Sequence, residues 1–341
     1  MKTLVLGGGV VGVTTAYFLA QAGHEVTLLE EKDGLGLEAS AGNAGIIAPG
    51  HSFAWASPRA PAMLLRSLRG AETPIRVRLA PDPHLYLWGI RFLRECTATR
   101  ARRNTLVKLR LCQYSQRVLN ELVRAEGLEY EAITKGALYL YRNRAELEAG
   151  MKKMALLAEH GQKQEILDAG EVAKLDPVFE PVKTKIAGAI RDLGDSSGDS
   201  RLFTERLGAL CRDRLGVTVK LGCRVAALRA GGDRIDAVVT SDSVLTADNY
   251  VLALGVGSPI VARTAGVSLP IYPAKGYSST FPLKPGGLAP TIPGVDEQWL
   301  VGWSRLGDRL HLTSTAEFAG YDWGWTPRDF NNILRFARDV F

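Results

Sequence analysis

The first thirty residues contain two apolar runs separated by a stretch with helical periodicity. The run over Lys2–Leu6 predicts a buried strand, and the apolar spacing in Val10–Gln21 predicts a helix that ends near Gly23. Residues 25–30 form the second apolar run and predict a second strand. A strand, a helix and a strand in this order predict a β-α-β unit with parallel strands. Glycines interrupt the first apolar stretch, so it is not interpreted as a signal peptide.

The pattern downstream predicts further strands and helices, and a loop over the small, polar residues 39–50. Helices are predicted for residues 61–68, 85–96, 106–122, 146–159, 200–214 and 327–341. Strands are predicted for residues 136–143, 186–193, 217–221, 225–228, 234–240, 250–254, 271–281, 299–305 and 309–315. This order predicts an α/β fold in which distant chain segments share a sheet. One domain is expected from residues 1–52 and 197–262. A second domain, with an antiparallel sheet and helices, is expected from residues 53–196 and 263–341.

A glycine-rich motif lies between the first strand and the first helix. It consists of Gly7, Gly8, Gly9, Val10, Val11 and Gly12. Gly7 permits a tight turn, Gly9 lets a pyrophosphate approach the backbone, and Gly12 lets the helix pack closely on the strand. Glu30 ends the second strand, where an acid accepts hydrogen bonds from a ribose and repels a 2′-phosphate. The sequence therefore predicts a Rossmann-type dinucleotide site that does not take NADP.

Three further segments are expected to complete this site. The loop that contains Ser40, Asn43, Ala44 and Gly45 offers amides and hydroxyls to a pyrophosphate and a ribityl chain. A plain surface loop is the alternative. Downstream, the backbone at Val225 is expected to frame an adenine, and Gly255 to let the chain pass close to the phosphates. A nicotinamide-binding domain would instead continue with alternating strands and helices from about residue 35.

Composition excludes several classes of protein. The 341 residues are 46% hydrophobic and 23% charged, which is typical of a globular protein with room for two cores. The four cysteines stand far apart, so neither a disulfide framework nor a metal site is predicted. No apolar stretch is long enough to span a bilayer, and a cytoplasmic location is expected. No nucleic-acid-binding motif is present, and nucleic acid is not an expected partner.

Positive charge is concentrated in one part of the chain. Residues 54–120 carry 13 Lys and Arg against three Asp and Glu, although the whole chain has a net charge of only +6. Within them, the apolar residues 85–93 are followed by a run of arginines. One interpretation is a surface that rests peripherally on anionic lipid at the inner face of the cell membrane. The other is a core helix with a solvated arginine flank.

The whole sequence resembles the D-amino-acid dehydrogenase small subunit family, within the glycine oxidase and D-amino-acid oxidase superfamily. The matching stretches are residues 5–12 and 22–30, residues 38–50 with Trp55, Gly198-Asp199 with Leu202-Phe203-Thr204, Tyr272-Pro273 with Lys275-Gly276-Tyr277-Ser278, and Arg305 through Ala316-Glu317. The resemblance implies FAD as cofactor and a flavin domain beside an antiparallel substrate domain. It also implies oxidation of D-amino acids such as D-alanine to 2-oxo acids and ammonia, with electrons passed to a quinone or another respiratory acceptor.

Two other functions remain open from the sequence. One is an amine oxidase of the glycine or sarcosine type that passes electrons to oxygen. The other is a flavin-binding scaffold without catalysis. Members of the resembled family continue with a G-L-R-P segment, whose arginine binds the substrate carboxylate, and with a T-G-H-G segment. Neither is found before Phe341, so the sequence is expected to be truncated at its C-terminus.

Tyr277 and Tyr272 are the predicted catalytic-site residues, as walls of the pocket above the flavin. A tyrosine hydroxyl there hydrogen-bonds the carboxylate or the amine of a substrate. Packing within a sheet is the alternative for both side chains. Lys275 and Arg305 are weaker candidates for tuning the flavin, with surface positions as the alternative. His51 follows the cofactor loop and is interpreted as a loop histidine.

Overall fold

The structure is a computed structural model that describes residues 1–69, 73 and 75–341. The strands in chain order are β1 (Lys2–Leu6), β2 (Glu25–Leu29), β3 (Ile46–Ile47), β4 (Ile75–Val77), β5 (Ala137–Tyr141), β6 (Gln164–Asp168), β7 (Gly188–Asp192), β8 (Ser196–Ser197), β9 (Thr218–Lys220), β10 (Val225–Gly231), β11 (Arg234–Thr240), β12 (Val244–Leu245), β13 (Asn249–Leu252), β14 (Lys275–Pro282), β15 (Gly294–Asp296), β16 (Val301–Leu306) and β17 (Arg309–Phe318).

The helices in chain order are α1 (Val10–Gln21), α2 (Ala60–Leu68), α3 (Pro83–Glu95), α4 (Ala98–Glu126), α5 (Arg144–Ala158), α6 (Ala169–Leu175), α7 (Ser200–Leu215), α8 (Ser258–Arg263) and α9 (Asn331–Val340). Segments of 3-10 helix lie at Pro49–His51, Pro177–Lys185, Gly255–Gly257 and Pro327–Phe330. Of the helices in the described part of the chain, none combines the length and the apolar character that crossing a membrane requires.

The smaller of two compact units consists of Met1–Gly42 and Asp199–Tyr272. Its main sheet has the order β13-β1-β2-β9, and all of these strands are parallel. β1 lies inside the sheet and is buried from Thr3 onward, which explains the continuous apolar run in the sequence. Helix α1 packs on β1, β2 and α7. Strands β10, β11 and β12 form a separate antiparallel sheet.

The larger unit consists of Asn43–Gly198 and Pro273–Phe341. Its sheet has the order β14-β17-β16-β15-β5-β7-β6, and β4 also pairs with β17. These pairs are antiparallel except for β15 with β5 and β4 with β17. The core of this unit surrounds Trp303, whose indole N–H donates to the Ile292 carbonyl at 2.9 Å. The Trp303 ring stacks on Phe336 with centroids 5.6 Å apart, so α9 packs directly on this core.

Both main sheets combine segments that are far apart in the sequence, so the predicted fold class is confirmed. Several predicted elements need correction. Residues 39–50 are not entirely loop, because they include β3 and the 3-10 turn Pro49–His51. Helix α4 begins at Ala98 rather than at residue 106, because Thr97 caps it ahead of the first apolar positions. The final helix begins as a 3-10 turn, and its α-helical part starts only at Asn331.

Candidate cofactor-binding site

The glycine motif forms the turn between β1 and α1. Gly7 has φ +111°, a value that favours glycine, and its amide donates to the Leu29 carbonyl at 2.8 Å. Gly12 lies so close to this turn that an added Cβ would stand 1.8 Å from the Gly7 carbonyl oxygen. Helix α1 therefore starts directly at the end of β1 and aims its N-terminus at the turn.

The N-terminus of α1 has the properties of an anion site. Gly9 is the N-cap and has no side chain with which to cap the helix, and no acid lies in the first turn. An added Cβ on Gly9 would meet a single neighbour, the Ser40 hydroxyl, at 3.4 Å. That hydroxyl accepts from the Val10 amide at 3.0 Å, while the Val11 side chain is exposed. The positive end of the helix dipole is thus left accessible to a negative group.

Glu30 fastens the glycine turn to the end of β2. Its Oε2 accepts from the Gly8 amide at 2.7 Å, and its Oε1 accepts from the Lys32 amide at 2.8 Å. A carboxylate has about four acceptor positions, so these two bonds leave capacity for further donors. The sequence indicated the ribose contact of Glu30, which stays a prediction, but not the bond to Gly8.

Val225 and Gly255 each follow a chain segment that contacts Glu30 or the glycine turn. The Cys223 amide donates to the Glu30 carbonyl at 2.8 Å and thereby brings the start of β10 to the end of β2. The Val225 side chain packs into the core of the smaller unit. Gly255 follows β13 with φ +54°. The chain just before it touches the glycine turn, since an added Cβ on Gly7 would lie 2.5 Å from the Ala253 carbonyl oxygen.

Asn43, Ala44 and Gly45 belong to the larger unit and are held by its backbone and side chains. The Asn43 side-chain oxygen accepts from the Gly45 amide at 2.7 Å. The Ser304 hydroxyl donates to the Ala44 carbonyl at 2.8 Å, and the Gly198 amide donates to the Gly45 carbonyl at 2.8 Å. The sequence analysis missed Ser304 and Gly198, because nothing local in the sequence connects them with this loop.

Tyr277 is buried on β14, and its hydroxyl donates to Glu317 Oε2 at 2.7 Å. Lys275 Nζ lies 3.0 Å from the same carboxylate oxygen. Burial and the Glu317 carboxylate raise the pKa of the Tyr277 hydroxyl. Burial opposes the charge of Glu317, but the bonds from Tyr277 and Lys275 outweigh it, so the pKa of that carboxyl is lowered. The donor of Tyr277 is therefore used inside the protein, and its substrate contact stays a prediction.

The remaining predicted residues are Tyr272, Arg305 and His51. Tyr272 is half-buried, lies outside the strands and belongs to the smaller unit. Arg305 is exposed, and its Nε donates to the Gly307 carbonyl at 2.9 Å. His51 Nε2 lies 2.6 Å from Glu297 Oε1, a partner that the sequence did not indicate. The described residues contain no group of three His, Cys, Asp or Glu that is arranged to hold a metal ion.

Comparison with known proteins decides which dinucleotide this site serves. Residues 2–341 match the protein family described as DAO, FAD dependent oxidoreductase. The chain belongs to this family. D-amino acid dehydrogenase 2 of Mesorhizobium japonicum is 44% identical over 341 residues, which cover 100% of this chain and 82% of that relative. D-amino acid dehydrogenase of Methylobacterium radiotolerans is 41% identical over 342 residues and covers 100% of this chain and 81% of its own length.

Solved structures share the fold at low identity. Glycine oxidase from Bacillus cereus superposes with a TM-score of 0.72 at 18% identity, covering 100% of this chain and 78% of that one. L-alpha-glycerophosphate oxidase from Mycoplasma pneumoniae, solved with FAD bound, superposes with a TM-score of 0.62 at 18% identity, covering 99% and 78%. The sequence-based expectations of family, fold and FAD are thereby confirmed.

Proposed function

We propose that the chain catalyses the FAD-dependent oxidative deamination of D-amino acids such as D-alanine to 2-oxo acids and ammonia. The electrons pass to a quinone or another acceptor of the respiratory chain. The observation that carries the proposal is the 44% identity, over the whole chain, to a protein named D-amino acid dehydrogenase 2. The unneutralised N-terminus of α1 beside Glu30 supports it, because an FAD needs both features.

The residues of the smaller unit fit the adenosine and pyrophosphate parts of FAD. The amides of Gly9 and Val11 lie at the accessible end of the helix dipole and would bind the pyrophosphate, while the Val10 amide donates to Ser40. Glu30 keeps acceptor positions for ribose hydroxyls while it holds Gly8. Ser40 binds the first turn of the helix and so fixes the start of the cofactor loop. When bound, FAD supplies a two-electron acceptor for the hydride of the substrate.

Cofactor and substrate binding are assigned to different parts of the chain. Residues 1–52 and 197–262 are proposed to bind FAD, with Asn43, Ala44 and Gly45 contributing backbone groups. Residues 53–196 and 263–341 are proposed to bind the substrate, with Tyr277 and Tyr272 in the wall of the pocket. The internal bond of Tyr277 to Glu317 leaves its oxygen able to accept from a substrate ammonium.

The test is turnover with an artificial electron acceptor. Protein loaded with FAD should reduce a dye or a quinone with D-alanine, form pyruvate and ammonia, and leave L-alanine unreacted. Hydrogen peroxide produced in step with turnover in air would show an oxidase instead. Bound flavin that no D-amino acid reduces would contradict the proposal and indicate a scaffold without catalysis.

We also propose a peripheral membrane surface on α3 and α4. Leu85 of α3 is buried and Trp88 packs on Phe318 with ring centroids 4.8 Å apart, so one face of α3 lies on the protein. The other face carries apolar side chains that are 48–58% exposed, namely Tyr86, Leu87, Ile90 and Leu93. Exposed apolar residues on a surface helix favour contact with lipid over the interpretation as a core helix.

Basic residues accompany this apolar face. Arg91 and Arg94 lie on the exposed side of α3, and Arg102, Arg103 and Arg110 are exposed on α4. The acid that ends α3, Glu95, accepts from Arg100 at 3.1 Å and from Asn104 at 2.9 Å. Net positive charge beside exposed apolar groups suits a membrane that contains anionic lipid. Such a surface would bring the enzyme close to a quinone that is dissolved in the membrane.

A further inference from the structure

Residues 43–53, which follow Ser40 in the chain, are held in the larger unit by contacts at several points. Strand β3 pairs with β8 through Ile46 with Ser197 and Ile47 with Ser196. After β3, the Gly50 amide donates to Asp195 Oδ1 at 2.8 Å. His51 then contacts Glu297 at 2.6 Å. The position of the backbone at residues 43–45 depends on these attachments.

Two buried carboxyl groups lie directly beneath Gly50. Asp195 accepts from the Gly50 amide with Oδ1 and from the Tyr139 hydroxyl with Oδ2. An added Cβ on Gly50 would stand 2.5 Å from Cγ of Asp192. Both acids are buried, and in the described part of the chain neither forms an ion pair. Two uncompensated carboxylates at close range disfavour each other's ionisation.

The groups that face Asp195 come from several elements. Tyr139 lies on β5, Asp192 ends β7, and the Cys112 thiol of α4 lies within electrostatic range. On the other side, the His51 ring stacks on Tyr139 with centroids 4.9 Å apart and contacts Glu297. Lys153 of α5 adds a cation, whose ammonium lies 4.1 Å from the centre of the Phe53 ring and interacts with Glu297.

The pKa of Asp195 determines how pH affects the attachment of residues 43–53. Burial and the charge of Asp192 raise the pKa of Asp195 to about 7, against the opposing bonds from Tyr139 and Gly50. A carboxyl group in water titrates near pH ~4. Between these two pKa values, the protein therefore binds more protons when residues 43–53 are attached than when they are released. Raising the pH over this range favours release, by up to about tenfold per pH unit, and the effect levels off above pH ~7.

We propose that Asp195 is a positioning residue for the cofactor, which holds Gly50 and residues 43–53 in place and loosens them when it becomes ionised. The inference rests on the proposed function, because it assumes that residues 43–45 contact FAD. It makes the retention of FAD depend on a carboxyl group that lies outside the cofactor motifs. Asp192 acts through Asp195, since its charge makes the ionisation of Asp195 less favourable.

Amide hydrogen exchange of the FAD-free protein tests the attachment without involving the cofactor. After correction for the intrinsic pH dependence of exchange, protection of residues 46–53 should fall by about tenfold per unit between pH 5 and pH 7 and then level off. In Asp195→Asn the amide oxygen still accepts from Gly50, and its NH2 group donates to Tyr139, so protection should depend much less on pH. Burial also raises the pKa of Asp192, which accounts for the dependence that remains. In Asp192→Asn the fall should move to lower pH.

The dissociation rate of FAD, followed by flavin fluorescence, is the second measurement. This rate should rise with pH in the same range for the natural protein and should rise much less for Asp195→Asn. Asp233→Asn, in the exposed turn between β10 and β11, is the matched control and should behave as the natural protein. Constant protection of residues 46–53 from pH 5 to pH 8, or an unchanged slope in Asp195→Asn, would overturn the inference. Failure to bind FAD at any pH would refute the proposed function, and hydrogen exchange would still decide the inference.

Discussion

At the scale of single residues, Glu30 holds the glycine turn and is also predicted to contact a ribose. The position at the end of a second strand predicts a ribose contact. The structure adds a hydrogen bond from the Gly8 amide to the same carboxylate, at 2.7 Å. Loss of this side chain should therefore affect both the adenosine contact and the shape of the glycine turn.

Glu30→Ala should weaken FAD binding by about 1–3 kcal/mol, because it removes charge-assisted hydrogen bonds. Titration of the FAD-free protein with FAD, followed by fluorescence, measures this loss. Glu31→Ala is the matched control, since Glu31 forms ion pairs only at the surface, with Lys32 at 3.6 Å and Arg224 at 3.8 Å. An affinity in Glu30→Ala equal to that of the control would contradict the assignment.

Gly12 tests the close packing of helix and strand. A Cβ at this position would stand 1.8 Å from the Gly7 carbonyl oxygen, which is backbone and has no room to move away. Gly12→Ala should lower the free energy of unfolding by about 1–3 kcal/mol or more and should abolish FAD retention. Gly89→Ala is the control, because Gly89 lies within α3 and an added Cβ meets nothing within 4 Å. Thermal unfolding and flavin content measure both variants, and equal effects would refute the packing argument.

At the scale of elements, the sequence predicted those strands and helices that are determined by interactions between residues close in the chain. The bounds of β1 and α1 follow from the sequence, because a continuous apolar strand and a helix between two glycine-containing turns are visible within a few residues. Strand β3 was not predicted, because its two residues become a strand only by pairing with Ser196 and Ser197. Strand β4, with three residues, likewise depends on its partner β17.

Helix α9 is fastened to the larger unit by a buried charge network. Arg142 Nε contacts Asp296 Oδ2 at 2.6 Å, and its Nη1 contacts Asp339 of α9 at 2.8 Å. Asp296 is fully buried, and its Oδ1 accepts from the Gln298 and Trp299 amides, so Arg142 supplies the positive charge opposite it. Arg142→Leu should lower the free energy of unfolding by about 3–5 kcal/mol, because it leaves a buried carboxylate without its partner.

The control for this prediction lies two residues away. Arg144→Leu removes a surface pair with Glu148, in which the arginine side chain is 87% exposed. We expect a change of at most about 0.5 kcal/mol, because water screens such pairs. Chemical denaturation of both variants provides the comparison. Similar losses in Arg142→Leu and Arg144→Leu would show that the network does not hold α9.

At the scale of the whole molecule, the sequence predicted the part of the candidate site that lies in one β-α-β unit. The glycine turn, Glu30 and the start of the cofactor loop are close in sequence and carry recognisable residue types. Ser304 and Asp195 were missed, because their hydrogen bonds to residues 43–53 join positions that are more than a hundred residues apart in the sequence. A single sequence contains no local signal for such contacts.

The proposed membrane surface belongs to the scale of the whole molecule, since it needs both the exposed face of α3 and the arginines of α4. The natural protein should sediment with vesicles that contain anionic lipid and should be released by high salt, because each basic residue adds about 1 kcal/mol that ions screen. Leu87→Asp with Ile90→Asp should abolish binding at all salt concentrations, because it replaces the apolar contact with charge.

Two further variants distinguish binding of lipid by this surface from non-specific binding to vesicles. A variant in which Arg100, Arg102 and Arg103 are all changed to Glu should bind vesicles more weakly at low salt. High salt should then reduce its binding only slightly further. Val267→Asp changes an apolar side chain of the smaller unit that is 50% exposed, close to the exposure of Ile90, and should leave vesicle binding unchanged. If the arginine variant sediments at low salt as the natural protein does, electrostatic attraction to lipid is excluded. The basic residues of α4 are then a solvated flank, and delivery of electrons to a membrane quinone must use another surface.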